Sequence, residues 1–147
     1  MINSLKIIFI CLFFVGCKKE IKPEEIAFIN GYWEIEKVVL NTGKEKLYKV
    51  NESYDFFELK ANNKGFRKKV TPQLNGTFLV NDTFENISLV YIDKAVFIAY
   101  ATSYAKWKEE IILLTKEKLV LRNDEKNEYH YKKTGPINIL NDGKKTK

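Results

Sequence analysis

Few side chains in this chain are placed to do chemistry. His130 is the one histidine, and it falls with Glu128 and Lys132 on the polar side of a strand-like stretch, a surface position rather than that of a general base. The two cysteines, Cys11 and Cys17, both lie near the start. A metal site of histidines and thiolates is therefore excluded by count in everything that follows them. Glu109 and Glu110 are consecutive, so on a strand they point to opposite faces, whereas a glycosidase pair must flank one bond. There is no phosphate-cradling glycine loop and no G-x-S-x-G motif. Asp93 and Asp124 sit in turn-like segments, where backbone hydrogen bonding is the ordinary explanation. These residues point to a non-enzyme without cofactor or metal. Binding has better material: Tyr54, Phe56, Phe78, Tyr91, Phe97, Tyr129 and Tyr131 are the aromatic residues expected to line a cavity if one is open. The same rings could instead fill the core of a small domain, and both uses remain open.

The elements that would position these rings are short. Pro23 stands where a first helical residue belongs, Glu24 and Glu25 follow near the positive end of the dipole, Ile26 and Ile29 lie one turn apart, and Asn30-Gly31 is a stop. Beyond that short helix, β-branched and aromatic runs alternate with Asn, Gly, Asp and Pro. Strands are expected at 32–40, 53–60, 65–70, 76–80, 86–92, 95–101, 106–115, 118–122 and 128–133. Trp107, Ile111 and Leu114 also fit a helical period, but the polar turn at 115–118 leading into Leu119-Val120-Leu121 favours a hairpin. Trp33, Ile35 and Val39 should share one face of the first strand. No helical patterns alternate with the strands, so the expected fold class is all-β, an antiparallel up-and-down meander of eight to nine strands closing into a barrel.

The formal net charge of +6 over 147 residues is spread thinly, with Arg67, Lys68 and Lys69 the only dense basic cluster in the body and Lys144, Lys145 and Lys147 in the tail. A nucleic-acid binder concentrates charge on one face beside stacking aromatics. These lysines read instead as solvated surface, and no nucleic-acid partner is expected.

Lys6, the apolar run Ile7 to Val15, Gly16 and Cys17 resemble a bacterial lipoprotein signal with its lipobox. The nine-residue run would rise only about 14 Å as a helix, against roughly 30 Å of hydrocarbon. The resemblance implies that residues 1–16 are removed and that Cys17 is lipidated, with 17–22 as a charged tether and 135–147 as a basic C-terminal tail. The chain would then be held at a membrane in the cell envelope. Lys18 follows the cysteine in place of the aspartate that commonly retains lipoproteins at an inner membrane, so the outer membrane is the expected location.

Between these ends, residues 23–134 resemble a lipocalin-like domain. Gly31-Tyr32-Trp33 after a short helix is similar to that family's G-x-W signature, and Thr102-Ser103-Tyr104 is an approximate match to its T-D-Y segment. The resemblance implies a helix-closed barrel end with Trp33 packed over it, and assigns Arg122 as the late arginine that stacks on the tryptophan. It also implies a binding module for a small apolar ligand. The alternative is a filled barrel whose outer faces recognise an envelope protein.

Overall fold

The computed structural model describes residues 20–136. A seven-residue 3-10 helix, Pro23–Ile29, leads into ten strands: β1 (Gly31–Val39), β2 (Glu45–Leu47), β3 (Tyr54–Leu59), β4 (Lys64–Pro72), β5 (Phe78–Val80), β6 (Glu85–Ile92), β7 (Ala95–Ala101), β8 (Lys106–Leu114), β9 (Lys118–Arg122) and β10 (Glu128–Thr134). Eight of them, without β2 and β5, form an antiparallel barrel of sequential neighbours that β10 closes by pairing with β1. The all-β up-and-down barrel expected from the sequence is the fold observed. β2 is a short addition on the outer half of β1, absent from the sequence reading, and β5 pairs only with β4.

The helix is fixed at its start by Pro23 and by a reciprocal contact in which the Lys22 amide donates to Glu25 Oε2 at 3.0 Å. Its buried face, Ile26 and Ile29, plugs one end of the barrel. Gly31 has φ +114°, and a side chain there would also press on Lys133, so the stop after the helix requires glycine. Gly65 is needed for a different reason: a Cβ would lie 1.7 Å from the Glu58 carbonyl, beside its register partner Leu59 on β3.

Two β-bulges set which residues face inward. The register shift between Ile35 and Lys37 turns Val38 rather than Val39 into the core, correcting the face assigned from simple alternation. The shift between Ile111 and Leu113 lets Ile111 and Leu114 both point inward, which explains why β8 carries a helix-like spacing.

Candidate functional site

Each barrel strand sends alternate residues inward, and these inward residues change character along the axis. At the helix-plugged end the filling is apolar, with Ile29, Trp33, Phe57, Ile98, Ile111, Leu114, Leu119 and Leu121 all buried. Trp33 Nε1 donates to the Ile29 carbonyl at 2.7 Å. Lys133, at the end of β10, lies 4.2 Å over the Trp33 ring, donates to the Phe28 carbonyl at 2.7 Å and also to the Asn30 carbonyl.

Halfway up, the filling becomes charged. Arg67 on β4 pairs with Glu85 on β6 through Nε (3.2 Å) and Nη2 (3.4 Å), lies 3.9 Å from Glu109 on β8, and stacks 4.4 Å over the Tyr100 ring. Asp55 on β3, only 5% exposed, holds Lys69 at 2.9 Å. Burial opposes the Arg67 charge, yet the neighbouring Tyr100, the Glu85 hydrogen bond and the Asp55 carboxylate outweigh it and hold its pKa above the ordinary arginine value. Burial pushes Glu109 up, with Tyr100 and Arg67 pulling the other way. Burial also pushes Tyr100 and Tyr131 well up, so both stay neutral hydroxyls. The Tyr100 hydroxyl and Glu109 Oε2 are both buried without a partner of ordinary hydrogen-bond geometry, yet the two groups lie close enough to shift one another's proton affinity.

Above this layer the barrel opens. A cleft of about 330 Å³ at the mouth is lined by Ile35, Tyr48, Asn51, Glu52, Ser53, Asp55, Lys69, Tyr129 and Tyr131. Tyr129 and Tyr131 enter it because they alternate along β10, and Ile35 because it is the register partner of Tyr131. The segment after β2 forms the lip: the Tyr48 amide donates to the Glu36 carbonyl at 2.8 Å, and Asn51 Nδ2 donates to Glu34 Oε1 (3.0 Å) and to the Ile35 carbonyl (2.9 Å). The wall thus offers aromatic faces, phenol hydroxyls, an amide and an ion pair around one opening. It holds no aligned nucleophile and base.

Of the seven aromatic residues expected to line a cavity, Tyr129 and Tyr131 reach this cleft. Tyr54 and Phe56 do not, because Asp55, Phe57 and Leu59 are the inward residues of β3, and Phe78 does not because β5 pairs only with β4, off the barrel. They join a cluster on the outer wall instead. Tyr32 stacks on Phe78 at 4.3 Å and meets Phe56 at 4.7 Å, Tyr54 meets Phe78 edge-on at 6.4 Å, and Phe66 and Phe84 extend the row. Phe97 is also on the outer wall, beneath Lys108 at 5.0 Å. Tyr91 lies at the rim of the plugged end, about half exposed. Arg122 is likewise outside, where Nη2 binds Glu110 Oε2 at 2.6 Å, and it does not touch Trp33. Lys133 takes the place over the tryptophan that the resemblance assigned to Arg122. Thr102 and Tyr104 form the β7–β8 turn, with Tyr104 fully exposed. His130 contacts Glu128 at 3.2 Å. Cys17 lies outside the described residues.

The charged layer was not anticipated from sequence. Its signal was alternation: Asp55 shares a strand face with Phe57, and Glu109 shares one with Trp107 and Ile111.

No family model matches the chain, and a search of curated proteins finds no match. Among solved structures, a lipocalin-like protein from Bacteroides uniformis is similar at 10% identity, covering 73% of this chain and 99% of that one, with a TM-score of 0.46. The chain has a lipocalin-like fold by its own geometry: eight sequential antiparallel strands, closure of the last on the first, and a short helix over Trp33 at one end.

Proposed function

We propose that this chain is a non-catalytic binding module, anchored in the cell envelope through lipid on Cys17, whose ligand is a small and largely apolar molecule with one polar end. The mouth cleft carries this reading. Its volume lies at the lower end of the range for small-molecule sites, about 300–1,000 Å³, and its tyrosines supply apolar faces with hydroxyls able to orient a polar group. The plugged half of the barrel is filled, so the ligand sits high in the barrel and is compact rather than a long chain. The Lys18 position favours an outer membrane. Protein freed of its lipid should bind a hydrophobic fluorescent probe saturably at one site per chain, and Tyr129→Ser with Tyr131→Ser should weaken that binding at least tenfold. Binding that never saturates, or that ignores both substitutions, would remove the ligand.

A second reading is favoured by a separate observation. Leu74, Leu79, Val80 and Phe84 are exposed along the outer aromatic cluster, a surface suited to an envelope protein partner. It predicts partner binding that survives the mouth substitutions and fails with Leu79→Asp.

A further inference from the structure

The described chain begins at the plugged end of the barrel. Glu20 is exposed there, Ile21 packs against the core, and Cys17 lies four residues before Ile21. An extended chain spans at most about 3.6 Å per residue, so Cys17 is tied within roughly 14 Å of that end. The mouth is at the opposite end of the strands and out of reach of so short a tether. What the plugged end offers to a surface is the β6–β7 tip. Tyr91 is 53% and Ile92 41% exposed, beside Lys94. Behind them a cleft of about 470 Å³ runs between Ile21 and the tip, floored by Val96, Phe97 and Ile111. Lys116, in the β8–β9 turn, points its amine toward the Phe28 ring at 5.8 Å on this same end.

We infer that the β6–β7 tip docks into the interfacial layer of the bilayer that holds the Cys17 lipid, so that the barrel stands plugged end down with its mouth turned to the aqueous side. Three observations select a bilayer as the occupant. The described chain starts here, so a tether from Cys17 joins the barrel at this end. A tyrosine and an isoleucine beside Lys94 match the interfacial layer, where amphipathic rings sit at headgroup depth and lysine amines stay in water. The third and weakest is that Lys94 and Lys116 can meet anionic headgroups, although Glu20, Asp93 and Glu117 share this end. Asp93 at the tip is the one opposing charge among Tyr91 to Lys94; it takes a left-handed φ of 53°. The inference rests on the reading of Cys17 as lipid-bearing, and its test separates the two.

Cys11 leaves with the signal and Cys17 carries lipid, so a cysteine introduced elsewhere is the sole free thiol of the processed chain. Full-length lipidated protein carrying Ile92→Cys, or Asp124→Cys in the β9–β10 turn at the mouth, would be labelled with an environment-sensitive fluorophore and reconstituted into vesicles of neutral and anionic phospholipid. The expected result is several-fold stronger quenching of the label at 92 than at 124 by quenchers carried on the lipids, and the reverse order for an aqueous quencher. Equal aqueous access at both positions, with the protein still in the vesicle fraction, overturns docking and leaves the anchor standing. Protection at 92 without lipid quenching means a protein covers this face, and also overturns it. Protein that leaves the vesicle fraction overturns the anchor and the docking together. Ile92→Glu, unlabelled and followed by protection of the tip amides, gives a readout free of the dye: it should restore solvent exchange at the tip in vesicles, and unchanged protection would count against docking.

Discussion

The two halves of the barrel interior solve opposite problems. Around Trp33 every large side chain is apolar or has its polar atom satisfied, the indole by Ile29 and the Lys133 amine by two carbonyls. Around Arg67, the buried Asp55 and Glu109 and the partly buried Glu85 gather beside one guanidinium, with the exposed Lys69 amine reaching Asp55 from solvent, and two polar atoms of the layer complete no hydrogen bond. Burying such groups costs several kcal/mol per ion before attraction returns it. A barrel that needed only stability would continue the apolar filling upward. The plugged end therefore holds the fold together, while the upper half accepts an energetic cost beneath an open cleft.

The largest effect is expected from Trp33→Ala. Loss of the indole from a fully buried site should cost about 4 kcal/mol in a denaturant titration. A loss below roughly 1 kcal/mol would mean the plugged end is not the stabilising half. Next comes Arg67→Met, which leaves the buried Glu109 and the partly buried Glu85 without their cation and should cost about 3 kcal/mol. Lys133→Met removes two charge-assisted hydrogen bonds and the cation over the indole, at about 1–2 kcal/mol, with a shift in Trp33 emission. If Arg122→Met had the larger effect on that emission, the placement of Lys133 would be wrong.

Glu109→Gln acts on the charged layer through pH. Burial raises the folded-state pKa of Glu109, so the folded protein holds this proton more tightly than the unfolded chain does. Its contribution is fully present below the ordinary glutamate value of about 4.3 and is lost as pH rises from there through the raised folded value. The substitution should therefore flatten the decline in stability as pH rises above about 4.3; an unchanged slope would assign the decline to another group. Smallest of all, Leu79→Ser on the exposed outer wall should change stability by no more than about 0.5 kcal/mol.

Strand positions were legible because turns and β-branched runs punctuate the chain, and nine of the ten strands, all but β2, fall close to where those signals place them. Facing was less so, for local reasons. One extra residue at each bulge breaks the period of two, so Val39 and the β8 spacing mislead a reader who counts by alternation. Tyr54, Phe56 and Phe78 are as apolar as the residues inside, and only the fold-back of β5 over β4 reveals a second small core on the outside. Asp55, Arg67 and Glu109 were hidden by the general rule that charges lie on the surface. Lys133 was within reach, since it continues the face of Tyr129 and Tyr131, but an arginine was sought over the tryptophan.

The closure of β10 on β1 bears on the order of events during folding. Every other pairing in the barrel joins strands that follow one another closely along the chain, whereas Tyr32 meets Thr134 about a hundred residues later. Loop entropy opposes that one seam until the intervening hairpins have shortened the effective span. Zipping of the seam should therefore be the late, rate-limiting event, and it is the step that brings Lys133 onto the Trp33 ring. The indole is thus a built-in clock for barrel closure: in stopped-flow refolding its emission should change after the strand signal in the far ultraviolet has formed.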